Sequence, residues 1–306
     1  MALNTAKATT YLNTLTAKFD ISAKSYTPFY PNLCTIVPSR RRAENYTWLG
    51  AVPGIREWIG ERQFQELGAA TYLLKNKLWE TSLGLEREDI EDDILDQYGP
   101  AFDSMGIESV AHPDELFFQV LLAAASTPCF DGQYFFDTDH LWNDSGTQSN
   151  SITVSGNTDP NNPTSTEFKK AFNAALLAMM SFKNDKGKLL NRPTLGPVGD
   201  LVVLVPPTMW QAAAEAVQAV IINNTTNVLI STPKIIGSEY LTATNQFYLF
   251  RNGGPIKPFV FQARRPVQRT MKGMDDREFR KVKFMADARY NLGYLLWWLG
   301  VLVTLS

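Results

Sequence analysis

The stretch from residue 48 to residue 62, WLGAVPGIREWIGER, is the most distinctive part of this 306-residue sequence. Pro53-Gly54 is a strong turn signal at its centre. Residues 46–60, which contain this turn, and residues 71–87 predict the two β segments of a hairpin with a turn-rich tip. In the second segment one alternating face carries Leu73, Trp79, Thr81, Leu83 and Leu85, mixed with Lys75 and Lys77. Because lysines share the apolar face, we expect a hairpin that its own domain buries only in part.

The segments on either side of the hairpin predict helices. Before it, Leu12, Leu15 and Phe19 fit a short amphipathic helix that is followed by an extended arm through Pro28 and Pro31. After it, EREDIEDD (86–93) gathers carboxylates at a helix start, where the helix dipole favours them. We expect this helix to stop or kink at Gly99-Pro100 and to restart near Pro113.

The second half of the chain mixes helices and strands. Residues 143–166 read as a long polar loop or a loose hairpin around Ile152–Val154, and Thr164 with Glu167 forms a capping-box pattern. A helix with an apolar stripe follows to Phe182, then a strand over 200–206 and a helix over 208–221. The later segments read as strands separated by Gly, Pro and Asn, which indicates an α+β fold. The uncharged residues 290–306 are better explained by a buried strand or strand pair than by a membrane anchor.

Composition excludes several functional classes. Lys and Arg number 29 against 31 Asp and Glu, so a protein that mainly grips nucleic-acid phosphates is disfavoured. The two cysteines, Cys34 and Cys129, form no close-spaced pair and favour a reducing compartment. The basic cluster Arg40–Arg42 is read as a protein contact, with DNA proximity as the alternative. Aromatic residues reach 12%, a surplus that needs an explanation.

One segment, FDGQYFFDTDH (130–140), invites a metal-site interpretation. It places Asp131, Asp137, Asp139 and His140 within ten residues, but Asp131-Gly132 is also a good turn pair. We therefore predict a turn, a strand and a second turn, with a metal-dependent hydrolase as an alternative. The other histidine, His112, precedes Pro113 and is assigned to helix capping. No catalytic residue, cofactor site or metal site is predicted, and the protein is predicted not to be an enzyme.

Several separated segments together resemble the Mu-like phage major head subunit, the T protein family. The resemblance is carried, in order, by residues 48–62, 78–93 and 130–140, by LVVLVPPTMWQAAAEAV (201–217) and by NGGPIKPFVFQARRPVQ (252–268). It implies a major capsid protein with the Hong Kong 97-type fold, which assembles as hexamers and pentamers of an icosahedral shell around double-stranded DNA. A head-accessory or tail structural protein is the alternative within the same class.

The resemblance also implies a division of the chain. We expect an N-terminal arm (1–44), an extended hairpin called the E-loop (45–82), a peripheral domain with a spine helix and a polar loop (83–165), an axial domain (166–260) and strands that return mainly to the peripheral domain (261–306). The arm and hairpin are expected to hold neighbouring subunits, with part of the aromatic surplus as anchors.

The interface candidates are aromatic anchors and charged companions. The candidate anchors are Trp48, Trp58 and Trp79, and the candidate ion pairs join Arg56 and Arg62 to Glu86, Glu88, Asp92 or Asp93. A further copy of the chain is the main expected partner. A separate scaffolding protein and a portal are expected during assembly in the host cytoplasm, and a decoration protein is possible. Packaged DNA would face the inner surface without sequence specificity, and no membrane is involved.

Overall fold

The structure, a computed structural model, describes residues 5–49, 69–91, 95–142, 145–191, 200–218, 221–222, 225–226, 233–272 and 281–306. Its helices are α1 (Thr5–Ser25), α2 (Arg87–Glu91), α3 (Gly99–Leu122), α4 (Ser165–Ser181) and α5 (Pro207–Gln218). Its strands are β1 (Cys34–Pro38), β2 (Ala43–Leu49), β3 (Ala69–Lys75), β4 (Lys77–Glu86), β5 (Ser151–Val154), β6 (Leu201–Val205), β7 (Ile221–Ile222), β8 (Thr225–Thr226), β9 (Pro233–Gly237), β10 (Gln246–Arg251), β11 (Phe259–Lys272), β12 (Lys281–Tyr294) and β13 (Gly300–Leu305). The α+β prediction is confirmed.

The first helix, α1, is longer than the short helix that the sequence predicts. It buries Leu12, Leu15 and Phe19, the three positions of the predicted apolar stripe. Because these positions recur every three or four residues, one face of the helix can pack against the body. That face packs on its own subunit, against Phe102 of α3 and Phe284 of β12.

The long helix α3 differs from the prediction at both of its prolines. It begins at Gly99 with Pro100 in its first turn, and it runs through Pro113 to Leu122 without ending there. In the described part of the acidic segment before it, residues 86–91, the helix is the short α2. A proline inside a helix removes one hydrogen bond, but Leu116, Phe117 and Leu121 beyond it are buried in the core. Tertiary packing therefore keeps the helix continuous past Pro113. His112 lies in the middle of this helix, so its assignment to helix capping is wrong.

A four-stranded sheet, in the order β1-β11-β12-β4, supports the two helices α1 and α3. Strand β1 runs parallel to β11, whereas β12 runs antiparallel to both β11 and β4. The 14-residue strands β11 and β12 form a long ribbon with register shifts between Ala263 and Gln268. Bulges of this kind bend and twist a strand pair.

The predicted hairpin is present as a two-stranded stem, in which β2 pairs antiparallel with β3. Its tip, residues 50–68, lies outside the described residues. The second predicted segment divides at Asn76 into β3 and β4, which belong to different sheets. The predicted apolar face is therefore wrong for Leu73, which is 68% exposed, while its neighbour Leu74 is buried.

A five-stranded mixed sheet, in the order β5-β13-β10-β6-β9, forms the second part of the body. Its interior strand β6, LVVLV, is buried at every position, as expected for a strand covered on both faces. Helices α4 and α5 pack against each other and against this sheet. The predicted capping box at the start of α4 is confirmed, since Thr164 Oγ1 accepts the Glu167 N–H and Glu167 accepts the Thr164 N–H.

Strands β5 and β13 of this sheet test two further predictions. Strand β13 is buried between β5 and β10, which confirms a C-terminal buried strand. Strand β5 pairs in parallel with β13, so the loose hairpin expected around residues 152–154 is wrong. Within the part of the chain that the structure describes, no helix is long and apolar enough to cross a membrane.

The aromatic surplus mostly fills the core of the described residues. Nearly all of the largest fully buried side chains there are aromatic, and they are Trp297, Phe102, Phe117, Phe135, Phe168, Phe172, Phe182, Phe247, Phe250, Phe259 and Phe284. Many of their rings meet edge-to-face, an arrangement that aromatic pairs prefer. Core packing therefore accounts for much of the aromatic surplus, part of which we expected at contacts between neighbours.

Candidate functional site

The hairpin stem and its base carry the first group of predicted interface residues. Trp48 lies in β2 opposite Ala70 of β3. Arg56, Trp58 and Arg62 in the tip lie outside the described residues, as do Asp92 and Asp93. Tyr46 ties the stem to the body, because its hydroxyl donates to Gln262 Oε1 at 2.9 Å.

The base of the stem is organised around one carboxylate. Glu44 Oε1 accepts the backbone N–H of Arg40 at 2.8 Å and that of Arg41 at 3.0 Å. The Ser39 hydroxyl donates to the same oxygen at 2.9 Å. These hydrogen bonds lower the pKa of Glu44. The exposed arginine segment 40–42 is thus held in a fixed turn at the point where the hairpin leaves the body.

Trp79, a predicted anchor, packs inside its own subunit. Its indole Nε1 donates to the Tyr290 carbonyl at 3.1 Å, and its ring lies 4.4 Å from the ring of His112. His112 Nδ1 lies 2.7 Å from the Tyr290 hydroxyl, and burial lowers the pKa of this histidine. These groups line a cavity of about 260 Å³ between α3 and the β4–β12 pair, which Glu108 also borders.

The described acidic candidates lie at the end of β4. Glu86 forms an ion pair with Lys281 of β12, with 2.6 Å between Oε1 and Nζ, and both side chains are about half exposed. Glu88 is exposed in the short helix α2. Whether either contacts a neighbouring subunit stays a prediction, as it does for Trp79.

Sequence reasoning missed the polar contacts that join the N-terminal arm to α3. The buried Asp114 carboxylate accepts the Phe29 N–H at 2.8 Å and the Tyr30 N–H at 2.6 Å. It also accepts the Tyr26 hydroxyl at 2.8 Å. Partial burial and this carboxylate raise the pKa of Tyr26 to about 12. Asp114 therefore clamps the arm where α1 has ended and the extended segment begins.

The α1–α3 contact itself is close because α3 presents Gly106. A side chain at this position would begin 2.3 Å from the Phe19 carbonyl oxygen of α1. Ser22 donates to Asp103 at 2.6 Å, and Asp20 pairs with Arg269 of β11. The arm is thus fixed to its own subunit by apolar burial, close backbone approach and polar contacts.

The segment that invited a metal-site interpretation folds only partly as expected, because residues 134–136 form an isolated bridge between Tyr134 and Pro128 instead of the expected strand. Asp131-Gly132 forms a turn in which Gly132 has φ 86°. The Asp137 carboxylate accepts the Tyr134 and Thr138 backbone N–H groups, and Asp139 is exposed. Only Asp131 and His140 meet, with 2.8 Å between Oδ2 and Nδ1. The four residues of the predicted set therefore do not converge, and a metal-dependent hydrolase built on them is not favoured.

Comparison with known proteins identifies relatives of the chain. The family model described as "Mu-like prophage major head subunit gpT" matches residues 9–168 and 242–304. The major capsid protein of Escherichia phage Mu is 41% identical over 111 residues, which is 36% of this chain and 36% of the Mu protein. The alignment thus spans about a third of the length of that curated relative.

Comparison with solved structures identifies the fold. A chain from the capsid of bacteriophage JBD30 decorated with minor capsid protein trimers has a TM-score of 0.55 and 27% identity, covering 71% of this chain and 92% of that chain. The mature capsid of bacteriophage PhiM1 gives a TM-score of 0.62 at 13% identity, over 92% and 88% of the two chains. The fold is therefore of the Hong Kong 97 type, as the resemblance predicted. With a family model that matches well over half of its residues, the chain belongs to the Mu-like prophage major head subunit gpT family.

Proposed function

We propose that the protein is the major capsid protein of a tailed phage, with a structural rather than an enzymatic role. The observation that carries this proposal is the family match across residues 9–168 and 242–304, joined to a fold shared with capsid chains. Many copies would assemble as hexamers and pentamers into an icosahedral shell that encloses double-stranded DNA. The near balance of 29 basic and 31 acidic residues suits a container that must hold DNA without adhering to it.

The two sheets suggest how the chain is divided in that shell. We assign the four-stranded sheet with α1 and α3 to the peripheral domain, and α3 is its spine helix. The five-stranded sheet with α4 and α5 would be the axial domain at the capsomer centre. Because β5 and β13 are hydrogen-bonded into this second sheet, the axial domain would include them in addition to most of residues 166–260.

The stem formed by β2 and β3 would carry the E-loop onto a neighbouring subunit. The aromatic anchors Trp48 and Trp58 would then be buried in that interface, where such residues contribute most of the binding energy. Arg56 and Arg62 would pair with the acidic segment around Glu88, Asp92 and Asp93. Glu86 already pairs with Lys281 inside the subunit. An ion pair between Glu86 and an arginine of a neighbour would therefore add to this pair or replace it.

Further partners follow from the same role. A scaffolding protein and a portal would take part in assembly in the bacterial cytoplasm, and the mature shell would form the virion head. A decoration protein would bind the outer surface, and DNA would contact the inner surface without sequence specificity. The exposed arginines 40–42 are better suited to carboxylates of a neighbouring subunit than to DNA, because the whole chain lacks a basic excess.

Electron microscopy of the phage particle tests the proposal. We expect the density of the repeating shell subunit to fit this chain, with one copy at each lattice position. Finding the chain only at a vertex, in the tail or at a few copies per particle would instead identify an accessory or tail protein. Trp58→Ala is expected to impair shell formation while the unassembled subunit keeps its thermal unfolding midpoint; normal shells from this variant would remove Trp58 from the interface.

A further inference from the structure

Three potential metal-ligand atoms converge in the segment between α3 and β5. The Cys129 thiol, the Asp131 carboxylate and a His140 ring nitrogen lie within 4.8 Å of one another. Cys129 Sγ donates to Asp131 Oδ1 at 2.8 Å, and His140 Nδ1 lies 2.8 Å from Asp131 Oδ2. The His140 side chain is fully buried, and that of Asp131 is 4% exposed. Sequence reasoning included Asp131 and His140 but missed Cys129.

A neighbouring amide fixes which nitrogen of His140 carries hydrogen. The buried Asn150 donates through Nδ2 to the Phe135 carbonyl at 2.7 Å and to the Trp297 carbonyl at 3.1 Å. Its Oδ1 therefore faces His140 Nε2, 3.2 Å away, and can only accept there. A hydrogen on Nε2 would be donated to this oxygen, and that tautomer leaves the lone pair of Nδ1 directed at Asp131. Metal-binding histidines are oriented in this way by the partner of their other nitrogen.

The contact between His140 Nδ1 and Asp131 can hold a proton or a metal ion. The ring nitrogen and the carboxylate oxygen face each other at 2.8 Å, so a cation placed between them would be bound by both. A divalent cation held by a neutral imidazole, the Asp131 carboxylate and the Cys129 thiolate gives a cluster with no net charge. A buried site tolerates such a cluster because it contains no uncompensated charge.

We propose that Cys129 Sγ, an Asp131 carboxylate oxygen and His140 Nδ1 form a Zn²⁺ site, with water as the fourth ligand. A set of sulfur, nitrogen and oxygen ligands suits zinc, whereas magnesium and calcium prefer oxygen alone. Zinc bonds of about 2.0–2.3 Å in a tetrahedron place ligand atoms roughly 3.3–3.6 Å apart. The two 2.8 Å contacts go to different oxygens of Asp131, and the three ligand atoms lie within 4.8 Å of one another, so binding would move the ligands by about 1 Å.

The site would act as a structural staple rather than a reaction centre. Through Asn150 it reaches the Phe135 and Trp297 carbonyls, and the His140 ring stacks on Trp297 with centroids 4.0 Å apart. Zinc would therefore connect the turn after α3 to the segment that leads into β13. Zinc binds cysteine as the thiolate, so binding releases the Cys129 proton and should weaken as the pH falls.

Zinc binding by the purified full-length chain tests the site. After dialysis against Zn²⁺, we expect one zinc ion per chain by mass spectrometry in the wild type and in Cys34→Ala, which removes the other buried cysteine. Cys129→Ala should retain less than a tenth of that amount. Co²⁺ should give a thiolate charge-transfer absorption band in the first two proteins and none in Cys129→Ala. Equal zinc in Cys129→Ala and wild type would overturn the assignment.

A second measurement keeps the proposal testable if Cys129→Ala does not fold. Zn²⁺ should raise the thermal unfolding midpoint of the wild type, because a ligand that binds only the folded state stabilises it. The conservative variant Asp131→Asn should show little of this shift. A folded wild type that holds no stoichiometric zinc, and whose midpoint does not move, would show that protons alone occupy the cluster. Neither result bears on whether the chain builds a capsid.

Discussion

The N-terminal helix α1 and the hairpin stem β2–β3 are both extensions of the body, yet they are attached in opposite ways. The helix buries Leu12, Leu15 and Phe19 against its own subunit. The segment that follows the helix is held by Asp114 through two backbone N–H groups. The stem leaves Leu73 68% exposed, and its described ties to the body are gathered near its base. The difference indicates that α1 is part of the folded subunit, whereas the stem leaves apolar surface exposed, as its proposed contact with a neighbour requires.

The largest expected effect is at the clamp. Asp114→Ala removes both oxygens that accept the Phe29 N–H, the Tyr30 N–H and the Tyr26 hydroxyl. Leaving buried donors unsatisfied should lower the free energy of unfolding by about 3 kcal/mol. Urea unfolding of the unassembled subunit measures this, with Glu108→Gln on the exposed side of α3 as the control. Equal stability of the two variants would contradict the clamp.

A somewhat smaller loss is expected where α1 crosses α3. Gly106→Val would force a branched side chain against the Phe19 carbonyl oxygen, since even its Cβ would begin only 2.3 Å from that atom. Overpacking of this kind should cost about 2 to 3 kcal/mol and loosen α1. Limited proteolysis within α1 and urea unfolding report the two effects. Ile107→Ala, at the adjacent exposed position, should change the free energy of unfolding by no more than about 0.5 kcal/mol and should leave proteolysis within α1 unchanged.

Two adjacent leucines of the stem give the sharpest contrast. Leu74→Ala should lower subunit stability by about 2 kcal/mol, because Leu74 is buried against Val260 and Leu295. Leu73→Ala should leave subunit stability within about 0.5 kcal/mol, because this side chain is exposed. If the stem serves neighbours, Leu73→Asp should reduce shell formation seen by electron microscopy without altering the unfolding of the subunit. Intact shells from Leu73→Asp would place this face outside the interfaces.

The smallest effect is expected at the turn below the stem. The pKa of Glu44 is lowered by the backbone N–H groups of Arg40 and Arg41, so its contribution to stability is present above its unfolded pKa near 4.5. That contribution is lost as the pH falls through the lower folded value. Glu44→Gln should therefore show a smaller fall in unfolding midpoint between pH 7 and about pH 3 than the wild type. Glu80→Gln, on β4, removes the same charge as a control, and an identical fall in both variants would contradict the assignment.

Local chemistry explains what the sequence predicted well. The capping box of Thr164 and Glu167 needs only residues three positions apart, and the apolar stripe of α1 needs only helical spacing. The uninterrupted apolar run of β6 likewise identifies a buried strand by itself. These features are encoded within a few residues, so no knowledge of distant contacts is required to find them.

Non-local packing explains what the sequence did not predict. Pro113 signals a helix start, but the buried residues beyond it hold α3 together. Asn76 interrupts the alternation between β3 and β4, so the exposed face changes at a single Asn that lies between two lysines, with no Gly or Pro beside it. Asp114 and Cys129 meet partners that become visible only when separate elements are brought together.

The single residue between β3 and β4 has a mechanical consequence. Asn76 is buried, its N–H donates to the Arg42 carbonyl, and its amide donates to Ser39 and Arg41. A pull on the hairpin tip would therefore pass along β3 into β4 with little slack. The force would then act on the ten-residue β4–β12 ladder as shear. Its hydrogen bonds would bear the load together instead of opening one after another. In the proposed shell, tension drawn along β3 would therefore meet this ladder in shear.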